Sequence, residues 1–210
     1  MNVLFYSFLL VAGGSATAQT NPAIQIHSLD GAGCRGVLNH RVETVGNRVT
    51  VHFSTSSNDF FVKFPYDVNR APYLYTGKGC TAELSMDWSG HAQCLRLGSF
   101  QIDTDSSLDI DLSLITSGQV QTVAYNPSTH VWDIDKVYQT GELKIFGPRY
   151  GYIQSGGKLL GLHAPEPLER CMSSHRLIFS TWAGLSARAA EEPAESEATI
   201  RSWSYTFEKY

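Results

Sequence analysis

Apolar and polar residues alternate with a period of two along most of this chain. In residues 48–55, Val49, Val51 and Phe53 share one face while Thr50, His52 and Ser54 share the other. That is the signature of a half-buried β-strand. Residues 82–88 repeat it, with Ala82, Leu84, Met86 and Trp88 opposite Glu83, Ser85 and Asp87. Residues 107–115 set Leu108, Ile110, Leu112 and Leu114 against Asp109, Asp111 and Ser113. Residues 199–210 set Trp203, Tyr205 and Phe207 against Ser202, Ser204 and Thr206. Shorter strands are predicted at 24–27, 60–64, 94–102, 120–125, 131–138, 143–146 and 176–182; residues 37–45 are ambiguous. Gly, Pro, Asn and Ser clusters punctuate these runs, and no stretch sustains a helical period. The pattern predicts an all-β protein. Half-polar strands mean an antiparallel sheet with one buried face. Uneven loop lengths favour a β-sandwich of about eight to ten strands with long loops over a closed barrel.

The breaks in the alternation carry their own information. Gly31 and Gly33 lead into Cys34, and Gly77 and Gly79 lead into Cys80. Each reads as a Gly-x-Gly turn that delivers a cysteine, and a bridge between the two would organise the fold. Residues 66–76 read as a loop through Pro72, residues 147–152 with Gly156 and Gly157 as turn-rich, and residues 159–169 as a connection through Pro165 and Pro167. Residues 187–198 are rich in Ala and Glu and split by Pro193, which predicts a flexible, solvated loop.

The first eighteen residues stand apart. An apolar run over residues 4–12 precedes Ala16 and Ala18, the small-residue pattern of a signal-peptide cleavage site. The run is too short to span a bilayer as a helix, although the segment before it has no Lys or Arg. The expectation is a signal peptide at 1–18 and a single secreted, extracellular domain at 19–210, with no membrane span in the mature chain. All four cysteines, Cys34, Cys80, Cys94 and Cys171, fall after that segment, and an even number in an exported chain reads as two disulfides. Three pairings are open by count. The formal charge of −4 has no basic stripe within it, which argues against a nucleic-acid partner. Asn126 and Ser128 form no glycosylation sequon because Pro127 lies between them.

Candidate chemistry is sparse. Asp103, Asp105, Asp109 and Asp111 form the densest acidic cluster. Their spacing partly imitates a calcium loop, but the turn glycine and the twelfth-position Glu are missing. The plainer reading puts Asp109 and Asp111 on the outer face of a strand and Asp103 and Asp105 in the turn before it. Glu43, Asp59, Asp87, Asp133 and Glu142 are candidates for a glycosidase carboxylate pair, which needs a set separation across a cleft. The seven histidines have no metal-ligand spacing, and no Gly-x-Ser-x-Gly elbow occurs. Catalytic, metal and cofactor residues are therefore expected to be none. Tyr150, Tyr152 and Trp182 lie near glycines and form a candidate sugar-stacking platform.

Several of these stretches are similar to one secreted family. Ile24 and Ile26 followed by Gly31, Gly33 and Cys34, then Val49, Val51 and Phe53, then Cys80 opening an alternating strand, make the first half. Cys171, Leu177, Phe179 and Thr181, with Ser202, Trp203, Tyr205 and Phe207, make the second. The chain resembles the fungal secreted domain-of-unknown-function family numbered four-three-six-zero. The resemblance implies export and a β-rich fold, and no catalytic residues. Two departures stand out: the family's terminal cysteine is missing, since the chain ends Phe207, Glu208, Lys209, Tyr210, and Cys94 lies where none is expected. The expected bridges are Cys34–Cys80, on their shared Gly-x-Gly-Cys context, and Cys94–Cys171, the remaining pair, in which Cys171 has lost the tail partner that the resemblance implies.

The resulting expectation is a secreted, non-catalytic β-sandwich that binds a surface, a polysaccharide, or a host or cell-wall protein. The alternative is a hydrolase acting on cell-wall carbohydrate. N-terminal sequencing of protein recovered from culture medium tests the processing: the chain should begin at Gln19 or within two residues of it, and an intact Met1 in the medium would refute cleavage.

Overall fold

The computed structural model describes residues 21–34, 38–55, 60–64, 75–109, 112–161, 171–187 and 195–210. The expected signal peptide lies outside these residues. Among the described residues fourteen strands follow one another: β1 (Ala23–Asp30), β2 (Leu38–Val45), β3 (Arg48–Thr55), β4 (Phe61–Phe64), β5 (Tyr75–Asp87), β6 (Gln93–Leu108), β7 (Leu112–Asn126), β8 (Val131–Gln139), β9 (Leu143–Phe146), β10 (Arg149–Lys158), β11 (Leu160–Gly161), β12 (Cys171–Met172), β13 (Ser174–Ala187) and β14 (Ser196–Lys209). They make two antiparallel sheets packed face to face, the predicted sandwich. Sheet A runs β1-β5-β13-β7-β8-β11, with β9 also on β7. Sheet B runs β10-β6-β14-β3-β2, with β12 on β6 and β4 on β14.

The strand count exceeds the expected eight to ten because the central strands are long. β14 pairs with β4 through Ser196–Thr199 and with β3 through Ser202–Glu208 along the same edge. β7 likewise carries β9 and then β8. Each long strand thus accepts two shorter partners end to end.

The predicted inward faces form the core. Val49, Val51, Phe53, Ala82, Leu84, Met86, Trp88, Trp203, Tyr205 and Phe207 are all buried. Phe179 of sheet A meets Phe53, Tyr205 and Phe207 of sheet B at ring-centroid distances of 5.5, 4.8 and 6.0 Å. A second, smaller cluster holds Val62, Phe64, Leu108, Leu112, Leu114, Leu185 and Ala198. The Tyr205 hydroxyl sits between the sheets, 2.8 Å from Thr181 Oγ1, and donates to the Ser180 carbonyl at 2.7 Å. Its polar tip is therefore satisfied inside the core.

Four local expectations are corrected. Residues 107–115 are not one strand: β6 ends at Leu108 and β7 starts at Leu112, with Leu112 N–H donating to the Asp109 carbonyl. The alternation persists because both strands send leucines into the smaller cluster. Asp103 and Asp105 accordingly lie within β6, not in a turn, while Asp111 lies outside the described residues. Residues 149–158 are a strand despite three glycines. The ends of the 187–198 segment belong to strands, because β13 runs to Ala187 and β14 begins at Ser196. Ser196 and Ala198 are buried, since β14 needs them opposite β4; residues 188–194 lie outside the described residues.

The two glycine–cysteine motifs do meet, but only the first is a turn. Gly77 and Gly79 lie inside β5, opposite Gly184 and Trp182 of β13. Gly33 N–H donates to the Gly79 carbonyl at 2.8 Å. Gly31 has φ +105°, and a Cβ there would collide with that same carbonyl oxygen, so glycine is required on both counts. The contact brings Cys34 to Cys80 with Cα atoms 5.2 Å apart, and Cys94 bonds Cys171 across the β6–β12 pair at 4.0 Å. Both expected bridges are present.

The bridges close loops of 46 and 77 residues. In the chain-entropy treatment they contribute about 4 and about 4.5 kcal/mol, comparable to a domain's whole net stability. Thermal unfolding with and without reductant should therefore show a drop in Tm of about 15 °C or more. An unchanged Tm would show that the bridges do not hold the fold.

Candidate functional site

The outward positions of sheet B build a continuous polar face. Strand register aligns them in rungs. Gln154, Asp103, Ser202, Ser54 and Asn39 lie across β10, β6, β14, β3 and β2. Two residues along, Gln101, Ser204, His52 and Arg41 form the next rung, and Ser99, Thr206, Thr50 and Glu43 the one after. At about 4.8 Å per strand, a five-strand rung reaches roughly 19 Å. A groove of about 770 Å³ runs over this face. Every rung is polar because its neighbours along each strand, such as Val51, Phe53, Ile102, Trp203 and Tyr205, are turned into the core.

Asp103 is the hub. It accepts hydrogen bonds from Tyr152 Oη at 2.9 Å, Gln154 Nε2 at 2.9 Å and Ser202 Oγ at 2.7 Å. Partial burial opposes ionisation of Asp103, but donation from Ser202, Gln154, Tyr152 and Gln101 outweighs it and holds the carboxyl below its ordinary pKa. The same bond from Tyr152 to Asp103 raises the Tyr152 phenol above its ordinary value, with smaller contributions from desolvation and the Asp103 charge. Next to this hub, Arg201 pairs with Asp105. Tyr150 is 73% exposed and Tyr152 60%. Tyr152 is thus an exposed ring whose hydroxyl is tethered.

On the far side of the groove, His52 Nε2 lies 3.5 Å from a Glu43 carboxylate oxygen. That is ion-pair distance, and Nε2 has no properly formed hydrogen bond. Burial, and then the Arg41 charge, lower the His52 pKa, and Glu43 only partly offsets them. His52 is therefore mainly neutral near pH 7.

The predicted three-residue platform is divided between the sheets. Tyr150 and Tyr152 stand on β10 at the edge of sheet B, whereas Trp182 stands on β13 in sheet A. Thr181 and Ala183 on either side of Trp182 are buried, so the indole points outward, half-buried. It lies over glycines: a Cβ at Gly77 or Gly184 would come within 2.5 Å of its ring. The carboxylate candidates are also dispersed. Glu43 is on sheet B, Asp87 and Asp133 are on sheet A, and Glu142 pairs with Lys144 beside β9; Asp59 lies outside the described residues. No group of three His, Cys, Asp or Glu among the described residues is placed to hold a metal ion.

Sequence reasoning marked Asp103 for its acidic neighbours and missed Gln154 and Ser202 as its partners. The available signal was the polar alternation of β3, β6 and β14, which needed only a register to be read as a surface.

No family model matches the chain, and no curated protein matches it. Among solved structures it is similar to TmCBM61 in complex with beta-1,4-galactotriose, at 6% identity and TM-score 0.23, over 77% of this chain and 70% of that one. It is similar to CBM28, a carbohydrate-binding module specific for non-crystalline cellulose, at 8% identity and TM-score 0.26, over 85% and 81%. It is also similar to a native glycosidic hydrolase, at 10% identity and TM-score 0.26, over 88% and 95%. At these scores none of the three carries an argument about what this chain does. Two disulfides are compatible with an extracellular protein, as is the lack, among the described residues, of a helix long and apolar enough to cross a membrane.

The Asp103–Tyr152 bond has a spectroscopic consequence. Asp103→Asn should bring the Tyr152 phenol back toward pKa 10, read by NMR or by ultraviolet difference titration. Asp103 also stabilises the fold above the ordinary carboxyl pKa of 3.8, a contribution lost as pH falls through its lowered folded value. The variant should lack that part of the acid limb. An unchanged Tyr152 titration would refute the hub.

Proposed function

We propose that the protein is a secreted, non-catalytic carbohydrate-binding module that takes a polysaccharide across the outer face of sheet B. The observation that carries this reading is the set of polar rungs with Asp103 and Tyr152 at their edge. A polysaccharide presents rows of hydroxyls that need both donors and acceptors, and the Ser, Thr, Gln and Asn side chains of the rungs supply both. Asp103, kept ionised, holds Tyr152, Gln154 and Ser202 in place at the edge of the rungs. Tyr152 offers an aromatic face already oriented by its own hydroxyl, which lowers the entropic cost of binding. Export through a signal peptide at 1–18, and kinship with the secreted family that the chain resembles, belong to the same reading.

The hydrolase reading keeps one observation, that Glu43 and Asp103 line a single groove. A glycosidase needs one carboxyl held protonated as general acid and a second one ionised; the Asp103 environment suits only the ionised role, so this reading requires Glu43 as the acid.

Retention on insoluble cellulose, chitin, xylan and isolated fungal cell wall tests the proposal. At least one should hold the protein, and Asp103→Asn and Tyr152→Ala should each weaken retention about tenfold or more, the loss expected for a charge-assisted contact. Equal retention of the variants, or no retention on any of these solids, would overturn the sheet-B site. Release of reducing sugar that disappears in Glu43→Gln would overturn the non-catalytic reading.

A further inference from the structure

A second concavity lies on the other sheet and shares no residue with the groove. It measures about 270 Å³ and opens where the β7–β8 hairpin meets β13 and β12. Its aromatic wall is Trp132 and Tyr125, each 47% exposed, with ring centroids 5.4 Å apart. Val131 and Ile134 of the same hairpin and Met172 of β12 are also exposed. This hairpin therefore gathers large apolar side chains at the surface, where they are normally scattered.

The cavity is built rather than incidental. The Tyr125 hydroxyl bonds His130 Nδ1 at 3.0 Å, and His130 holds a positive φ of 56° in the hairpin turn. Asn126 spans the same turn, donating to Asp133 and accepting from Ser128 N–H. The Arg176 guanidinium lies 4.5 Å from the Trp132 ring centroid, and its Nε donates to Glu83 at 2.6 Å. Arg176 is thus fixed by stacking and by an ion pair, with terminal N–H groups left to donate. His175, which also lines the cavity, is 3% exposed. Its Nε2 lies 2.9 Å from the Gln93 carbonyl, and a carbonyl only accepts, so Nε2 carries the proton. Burial lowers the pKa more than that bond raises it, so the ring is neutral. The Cys94–Cys171 bridge and the β6–β12 pair hold Met172 and Gln93 in place behind it.

We propose that this cavity is a second carbohydrate site, which takes a single pyranose ring at the end of a glycan chain. Its volume lies just below the range of about 300–1,000 Å³ usual for small-molecule sites, room for one ring rather than a chain interior. The walls demand a ligand with one apolar face and a polar rim. A purely apolar guest would bury the Arg176 donors unsatisfied, and a purely polar one would leave the Trp132 and Tyr125 faces unused. A pyranose has both. This site stands apart from the sheet-B groove, and either can fail without the other.

The test titrates the whole protein with glucose, galactose, mannose, xylose and N-acetylglucosamine, read by tryptophan fluorescence and by NMR shifts of Trp132 and His175. N-acetyltyrosine amide serves as a non-sugar aromatic probe. At least one sugar should saturate in the millimolar range, with shifts at both residues. Trp132→Ala, at an exposed position, should weaken it about tenfold or more with Tm unchanged, Trp132→Phe should restore part of the affinity, and Asp103→Asn should leave it intact. Saturation by none of the sugars, binding unaffected by Trp132→Ala, or preference for N-acetyltyrosine amide would overturn the proposal.

Discussion

Phe179 reaching across to Phe53, Tyr205 and Phe207 is the contact on which the rest of the structure depends. Side chains on a strand alternate strictly, so once these rings face inward every neighbouring position faces out. A slip of one residue in β14 would place Ser202, Ser204 and Thr206 in the core and three aromatic rings in water. The groove on sheet B is thus the reverse side of the core, and its polarity follows from the same register that buries the aromatics. The Thr181–Tyr205–Ser180 contacts give that register a polar lock as well.

Much of this was readable in the order of residues. The alternation in residues 48–55, 82–88 and 199–210 gave the strands and their buried faces, because burial on one side leaves a period-two record in composition. The cysteine context pointed to the Cys34–Cys80 bridge. Punctuation was less dependable. The glycines of 77–80 and 149–158 look like turns, yet they lie in strands because glycine also makes room for a close neighbour, as Gly77 does for Trp182. The break between β6 and β7 hid behind leucines that alternate on both sides of it.

The sites were less readable for a different reason. Asp103 meets Tyr152 across 49 positions and Ser202 across 99. Trp132 and Arg176 likewise come together only because β7 stands between β8 and β13. Local patterns say which side of a strand faces water. They do not say which strands are neighbours, and a binding surface on a sheet is made of neighbours. Hence Tyr150, Tyr152 and Trp182, grouped by their surroundings in the chain, divide between two sheets, while Gln154 and Ser202 assemble around Asp103 unannounced.

The position of β14 has a consequence for how the chain reaches this state. β14, the latest strand in chain order among the described residues, is central in sheet B, with β6 on one side and β3 and β4 on the other. Until its fourteen residues have left the ribosome, β3 and β6 have no partner on their facing edges, and such edges recruit strands from other molecules. Pairings this distant in sequence also close slowly. Sheet B therefore closes only when β14 arrives, and until then the growing chain carries two open, half-apolar edges.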